Sequence, residues 1–543
     1  MRHILLATTA FVAVGISAPV FAQTAPAVDD GGIPDIVVTA QKRTERLQDI
    51  PVAASVLSSE MVRQQHVTDL SDINRAVPSV QIKGTFNGRV PYGMRGISTN
   101  ANEGAIGLTS GVNIEIDGIP VPADSFAANT LSDIAQLEVL KGPQSTLGGR
   151  TASAGTINFV TNGPSKTAKG TFNFLMTEDG EYRVDAAVSG PITSGVSFSL
   201  AGFASKTPYP VYNVVQNNQA EAINKSIRGK LKFDVGEDFD LTLTGHYALA
   251  TSHGDTFTAQ YFTPGGALFP FLPFSPGGIS QAVGYPYAIR YGNTTIGSPV
   301  DMRSRYEDVD GSVILNYRLG ETTLTSTTSY FKENQFQSQD IFLSNVYFWN
   351  VQFAVLPPFA RAPDFDNLQS AKGFVKQFTQ EFKVATDPTK PLSVLAGAFY
   401  SDMTVNQAGS RVWVANPIAK TNISTTKNYA LYARVTAKAS DQFTIIGGLR
   451  YNKDKIGWNV TQFFNPPAGQ FYSCNPNFDA TGAVNGGPPL GCQWVLNDSS
   501  DALVGDVALQ YHVNKDTMVY ASYTRGYKPR AFNTVHDFLS FQG

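Results

Sequence analysis

From about residue 168 onward, apolar and polar side chains alternate in segments of about ten residues. Clusters of turn-forming residues separate these segments. In residues 239–249 the apolar positions are Phe239, Leu241, Leu243, Tyr247 and Leu249, and the polar positions are Asp240, Thr242, Thr244 and His246. The pattern recurs in residues 427–437 and 505–513. Successive side chains of a strand point to opposite faces, so a period of two predicts β-strands with one apolar and one polar face.

Two β architectures fit this alternation. A soluble β-sandwich or adhesin has one solvent-exposed polar face, whereas the apolar face of a transmembrane β-barrel contacts lipid. The barrel is favoured because short turns such as residues 319–321 alternate with long connections such as residues 251–303. The segments also reach the roughly 9–11 residues that cross a bilayer, and many begin or end on Tyr or Phe.

The first 22 residues have the features of a secretory signal peptide. Arg2 provides the positive charge, residues 4–16 are mostly apolar, and Val20-Phe21-Ala22 provides a small-residue cleavage site. After this signal no run of eighteen apolar residues occurs, so no transmembrane helix is predicted. Residues 23–34 are rich in Pro, Gly and small residues and predict a flexible linker.

Residues 41–165 predict a small α/β domain. A strand is expected in residues 51–57, with Ser58 as the N-cap of a short helix. The dipeptide Asp117-Gly118 predicts a hairpin turn, and residues 155–161 predict a closing strand. Between them, the spacing of three apolar residues predicts a helical stretch leading into residues 138–140. Those three residues are Leu131, Ile134 and Leu137.

Composition excludes several classes of function. The net charge of −3 provides no basic surface for nucleic acid. Six scattered histidines and two cysteines have no metal-ligand spacing, and no nucleophile–base set indicates an enzyme. Because export leads to an oxidising compartment, Cys474 and Cys492 predict a loop disulfide, which would contribute about 3 kcal/mol.

The hexapeptide Asp35-Ile36-Val37-Val38-Thr39-Ala40 follows the linker directly. It is rich in β-branched residues and contains no glycine. An extended segment on a flexible tether can be bound by a partner as an added strand. The sequence therefore predicts a partner-binding segment here.

Several motifs together resemble the TonB-dependent outer-membrane receptors, in particular the sphingomonad-type iron-complex receptor group. They are the hexapeptide, Arg95-Gly96-Ile97, residues 116–120 (IDGIP), residues 137–148 (LEVLKGPQSTLG), residues 155–158, residues 379–384 with 391–400, and residues 520–533. The resemblance implies a mainly β fold with an N-terminal α/β plug inside an antiparallel transmembrane barrel. The expected domains are the signal peptide at 1–22, the linker with a TonB box at 23–40, the plug at 41–165 and the barrel at 166–543.

The family's barrels have 22 strands, whereas about fourteen strand candidates can be counted here. Residues 520–533 also lie close to the last residue, Gly543, and a terminal aromatic is missing. The chain is therefore expected to be C-terminally truncated, with an incomplete barrel.

The resemblance also implies site residues and partners. The box, with Asp35, Ile36, Val37, Val38, Thr39 and Ala40, would bind the TonB energy-transducing complex. Arg95 and Lys141 of the plug would face Glu381 of the barrel in a charged plug–barrel lock. Loop aromatics would contact the ligand, although packing within the loops themselves is the alternative. They are Tyr285, Tyr287, Tyr347 and Trp349.

The implied function is TonB-dependent active import of a ferric siderophore or other iron complex across the outer membrane. A carbohydrate or other organic nutrient is the alternative ligand, and a surface adhesin is the alternative class of protein. Lipid of the outer membrane and a small-molecule ligand are the other expected partners. No cofactor and no nucleic acid are expected.

Overall fold

The computed structural model describes residues 36–39, 41–65, 72–82, 92–98, 110–122, 133–149, 152–254, 294–296, 302–340, 368–413, 416–464, 473–474, 490–514, 517–530, 532 and 539–540. The predicted signal peptide and the four predicted ligand-contact aromatics lie outside these residues. In the described ranges, no helix has both the length and the apolar character that crossing a membrane requires.

The N-terminal part contains ten short strands and two short helices in the described residues. The strands are β1 (Val37–Val38), β2 (Glu45–Arg46), β3 (Ala54–Ser58), β4 (Val80–Ile82), β5 (Tyr92–Met94), β6 (Ile97–Ser98), β7 (Val112–Ile116), β8 (Ile119–Pro120), β9 (Ile134–Lys141) and β10 (Gly155–Thr161). The helices are α1 (Ser59–Gln64) and α2 (Ile73–Ala76), and residues Leu47–Asp49 form a 3-10 turn.

Five of these strands form the plug sheet, in the order β3-β9-β10-β7-β8. β10 is antiparallel to β9 and parallel to β7. Alternate residues of β9 lie on opposite faces of this sheet. Leu137 and Val139 belong to the main apolar core, which also contains Ile73 of α2 and Ile157 of β10. The other face carries a buried polar row of Asn113, Glu115, Glu138 and Asn158.

The helical stretch expected in residues 131–137 is wrong for its described part, because Ile134–Lys141 is strand β9. β9 pairs with β3 on one side and with β10 on the other, and these two ladders outweigh the helical spacing of the apolar residues. The predicted cap and turn are present. The Met61 N–H donates to the Ser58 hydroxyl at 3.3 Å, and β7 turns into β8 at Asp117-Gly118, where φ is 52° and 76°.

Most of the remaining strands are long, and three have only two residues. The full set is β11 (Lys169–Met176), β12 (Tyr182–Thr193), β13 (Val196–Asn213), β14 (Asn218–Val235), β15 (Phe239–His253), β16 (Thr295–Ile296), β17 (Arg303–Leu319), β18 (Thr322–Asp340), β19 (Leu368–Thr386), β20 (Leu392–Trp413), β21 (Asn416–Lys438), β22 (Phe443–Phe464), β23 (Ser473–Cys474), β24 (Leu490–Asn514), β25 (Thr517–Arg525) and β26 (Leu539–Ser540).

In the described part of the chain, fourteen strands join in one sheet, which agrees with the strand count predicted from the sequence. Its order is β11-β12-β13-β14-β15-β17-β18-β19-β20-β21-β22-β24-β25, and these strands pair antiparallel. The two-residue β16 pairs in parallel with the end of β13. The predicted turn at residues 319–321 joins β17 to β18.

Burial along the long strands is the reverse of that in a soluble protein. On β22, Leu449 is 60% exposed and Tyr451 is 46% exposed, whereas Arg450 and Asn452 between and beside them are 1% and 0% exposed. Apolar side chains therefore cover the outside and polar side chains point inward against the plug. A sheet with this arrangement suits lipid outside and a filled polar interior, which supports the barrel and not the sandwich.

Candidate functional site

Residues Ile36–Thr39 of the predicted box are extended and form a hairpin with β2. Val37 pairs with Arg46 and Val38 pairs with Glu45. The Leu47 N–H donates to the Ile36 carbonyl at 2.7 Å. The outer residues of the hexapeptide, Asp35 and Ala40, lie outside the described residues. One edge of the box strand is thus occupied by the chain's own β2.

The opposite edge of the box is bonded to side chains of β9. The Gln136 amide donates to the Val37 carbonyl at 2.7 Å. The Thr39 N–H and the Thr39 hydroxyl both donate to Glu138 Oε1, at 2.8 and 3.0 Å. Asn158 of β10 donates to the other carboxylate oxygen of Glu138 at 3.1 Å. Both edges of the described box therefore have hydrogen-bond partners.

A small apolar pocket holds the box against the plug. The Val38 side chain is fully buried against Ile50, Val56 and Leu140. Val56 lies on β3 and Leu140 on β9, so the pocket belongs to the same face of the sheet as Glu138. Burying a valine side chain contributes roughly 1.5–3 kcal/mol. Release of the box exposes this pocket to water.

The residues directly after the box contact the barrel wall, and we call Gln41–Arg43 the anchor segment. Lys42 Nζ forms an ion pair with Glu381 Oε1 at 2.6 Å, and both side chains are largely buried. The Tyr432 hydroxyl donates to the same oxygen at 2.8 Å. Lys383 Nζ donates to the Lys42 carbonyl at 2.9 Å. Lys42 has a φ of 63°, a left-handed conformation that this contact set holds in place.

The other two residues of the anchor segment extend the contact to further strands. The Arg43 guanidinium donates to Ser393 Oγ on β20 at 3.3 Å and to Thr436 Oγ1 on β21 at 3.2 Å. The Arg434 guanidinium donates to the Gln41 side-chain oxygen at 2.7 Å. The start of the plug is therefore bonded to β19, β20 and β21 within three residues of the box.

The structure places the predicted lock residues differently from the expectation. Glu381 does receive a cation from the N-terminal part of the chain, but the cation is Lys42. Arg95 is exposed beside Gly142 at the turn after β5, and Lys141 is half-buried at the end of β9. Among the ion pairs of the described residues, neither Arg95 nor Lys141 is a partner of Glu381. The lock through those two residues stays a prediction.

A second plug–barrel contact was not found from the sequence. Lys230 Nζ of β14 forms an ion pair with Asp117 Oδ2 at 2.9 Å and also contacts the Thr161 hydroxyl. Asp117 in turn accepts from the Thr161 N–H at 2.8 Å. On another strand, the Gln377 amide donates to the Pro120 carbonyl at 2.7 Å. The only sequence signal was the Asp117-Gly118 turn, which does not indicate a barrel partner.

Glu115 is a buried carboxyl group between the plug sheet and the anchor segment. Burial raises its pKa from an ordinary 4.5 to about 8, against the opposing effects of Lys42 and of the Asn113 amide, which donates to it at 2.8 Å. The negative charges of Glu381 and Glu138 raise the pKa further. The group is therefore held mostly protonated at neutral pH.

The described residues contain no group of three or more His, Cys, Asp or Glu side chains that could hold a metal ion. The side chains of Cys474 and Cys492 are outside what the structure describes, so the disulfide stays a prediction. The described site thus consists of the docked box, the anchor segment and the plug–barrel contacts.

Two family models match this chain. The model described as "TonB-dependent Receptor Plug Domain" matches residues 46–156. The model described as "TonB dependent receptor-like, beta-barrel" matches residues 241–538. The first range contains most of the plug sheet and ends within β10, and the second contains most of the long strands.

Curated relatives are similar over much of the chain. The pesticin receptor of Yersinia pestis is 22% identical over 511 residues, which are 92% of this chain and 64% of the receptor. The ferripyoverdine receptor of Pseudomonas aeruginosa is 26% identical over 220 residues, 39% of this chain and 25% of that receptor. The chain thus spans less than two thirds of the length of these relatives.

Solved structures have the same fold. The ferric yersiniabactin uptake receptor FyuA from Yersinia pestis superposes with a TM-score of 0.69 at 17% identity, covering 90% of this chain and 66% of that chain. The siderophore receptor PiuA from Acinetobacter baumannii gives a TM-score of 0.65 at 17% identity, with 88% and 65% covered.

Proposed function

Because this chain belongs to the TonB-dependent receptor family, we propose that it imports a ferric siderophore or another iron complex across the bacterial outer membrane. The observation that carries the proposal is the box, docked as a strand on the plug and followed at once by residues bonded to the barrel wall. A partner that binds this segment from the periplasm pulls directly on the contact between plug and barrel.

The proposed mechanism needs no covalent chemistry. The plug fills the polar interior of the barrel and blocks passage, while the box and linker provide the attachment for the TonB complex. Strand addition suits the box because its main chain is already extended. The exposed apolar side chains of the long strands, such as Leu449 and Leu503, contact lipid of the outer membrane.

An iron complex is favoured as the ligand because of the relatives. The ferripyoverdine receptor and the ferric yersiniabactin uptake receptor are named for iron chelates. The proposal brings this class of ligand to the present chain. The loop aromatics around Tyr285 and Tyr347 remain the proposed contact surface for it, by stacking on the chelate.

Deletion of residues 35–40 tests the proposal. Energised uptake of a radiolabelled ferric siderophore panel is expected to vanish, whereas binding of the same chelates to the cell surface is expected to remain. Deletion of residues 24–29 is the matched control, since it shortens the linker equally and keeps the box. Uptake that survives loss of the box, or loss of surface binding together with uptake, would contradict the proposal.

A further inference from the structure

The box strand has two main-chain edges, and their occupation decides whether a partner can add a strand. Ile36 and Val38 point their main-chain groups toward β2, where the Leu47 N–H reaches the Ile36 carbonyl. Val37 and Thr39 point theirs the other way, because alternate residues of a strand present their hydrogen bonds to opposite edges. In a two-stranded hairpin this second edge is normally free and open to pairing.

Here the second edge is covered by side chains. Gln136 donates to the Val37 carbonyl at 2.7 Å and Glu138 accepts from the Thr39 N–H at 2.8 Å. The Gln136 donor and the Glu138 acceptor thus bond to two box residues that are two positions apart. A neighbouring strand would offer a main-chain donor and acceptor at the same two positions. Gln136 and Glu138 are themselves two residues apart on β9, so their side chains rise from the same face of the plug sheet.

Glu138 also depends on the box. Its carboxylate is fully buried, and a buried charge needs hydrogen-bond donors. Its oxygens accept from the Thr39 N–H, the Thr39 hydroxyl, the Gln136 amide and the Asn158 amide. Departure of the box removes the two Thr39 donors at once. Two of the hydrogen bonds that satisfy the carboxylate are therefore also bonds that hold the box.

We propose that Gln136 and Glu138 are positioning residues that cap the second edge of the box and keep the resting receptor closed to strand addition by the TonB complex. The proposal rests on the transport function above. It differs from simple apolar docking through Val38, because it makes release of the box depend on two polar side chains that hydrogen-bond to the box main chain and to the Thr39 hydroxyl. Loss of either side chain opens the edge while the Val38 pocket remains.

A spin label at Ile36→Cys, with Cys474 and Cys492 replaced by serine, reports box mobility in the full chain in outer membranes without ligand. The label is expected to be mainly immobile in the parent protein. Gln136→Met keeps the side-chain length but removes the donor, and it is expected to raise the ratio of mobile to immobile box about fivefold. Glu138→Gln is expected to act in the same direction. Gln81→Met, an exposed glutamine on β4, is the matched control and is expected to leave the ratio unchanged.

Binding of the purified periplasmic domain of TonB provides the second measurement. Without ligand, Gln136→Met is expected to bind this domain about fivefold more tightly than the parent, since fewer contacts must be broken first. Resistance of the plug to trypsin verifies that each variant is folded, and if Glu138→Gln fails this check Gln136→Met decides alone. Unchanged mobility and unchanged affinity in folded Gln136→Met would overturn the edge cap. That result leaves box-dependent uptake intact, whereas uptake without the box overturns the transport function itself.

Discussion

At the scale of single residues, Lys42 links the box to the barrel. Its ammonium group meets Glu381 at 2.6 Å, and its carbonyl accepts from Lys383. Taking two charges out of water is costly, so such a pair adds little net stability although loss of one partner is strongly unfavourable. The pair therefore serves mainly to fix where the box emerges.

Lys42→Met is expected to destabilise the contact between plug and barrel by about 3 kcal/mol, because Glu381 loses its direct cation in a buried site. The urea concentration at which trypsin cleaves the plug measures this loss. The double variant Lys42→Met with Glu381→Met is expected to recover part of it, since no buried charge is then left unpaired. Additive losses in the double variant would show that the two groups are not coupled.

Glu115 makes plug stability depend on pH. Its pKa in the folded protein is about 8, above the ordinary 4.5, so the folded state binds more protons than the unfolded state between these values. The contribution of Glu115 to stability is consequently greatest below about pH 4.5 and is lost as the pH rises through about 8. When the trypsin assay is repeated across pH, Glu115→Gln is expected to reduce the slope of plug stability against pH by the contribution of one bound proton. An unchanged slope would contradict the burial argument.

The choice of cation beside Glu381 could not be made from the sequence. Arg95 and Lys141 lie in motifs typical of the family, whereas Lys42 lies in none of them. The contact joins residues 339 positions apart, and it depends on how the anchor segment turns at a left-handed residue. The ion pair of Glu381 with Lys42 depends on this local backbone geometry, which no sequence motif indicates.

At the scale of elements, local signals succeeded where one residue determines a structure. Ser58 caps α1, and Asp117-Gly118 supplies the two positive φ angles of the turn after β7. The spacing of apolar residues gave a wrong prediction at β9, where a three-residue spacing indicated a helix and the structure has a strand. Gln136 and Glu138 alternate with the core residues of that strand, and their role became visible only once the box was placed on this face.

Gly155, at the start of β10, is the position where the plug sheet tolerates no side chain. Its φ is 153°, and an added methyl group would meet Met94 and the Leu140 carbonyl. Gly155→Ala is therefore expected to disrupt pairing of β10 with β9 and to give a plug that trypsin degrades. Gly163→Ala, which has open space around the added methyl group, is the control and is expected to stay resistant. Equal resistance of both variants would show that the sheet relaxes around Gly155.

At the scale of the whole molecule, the plug is bonded to the barrel at several places, and two separate places among the described residues are ion-paired. The anchor segment is bonded to β19, β20 and β21, whereas Asp117 is bonded to Lys230 on β14. In the order of the large sheet, four strands lie between β14 and β20, namely β15, β17, β18 and β19. Force applied at the box reaches the first place directly and the second only through the plug sheet.

Lys230→Met is expected to loosen the Asp117 turn without mobilising the box, because Lys42 still holds the anchor segment. A spin label at Ile119→Cys, next to the turn, should gain mobility in Lys230→Met, and a label at Ile36→Cys should gain it in Lys42→Met. Since the two sites share no described partner, their effects on the trypsin midpoint are expected to add within about 0.5 kcal/mol. A mobile box in Lys230→Met, or strongly non-additive midpoints, would instead show that plug and barrel separate as one unit.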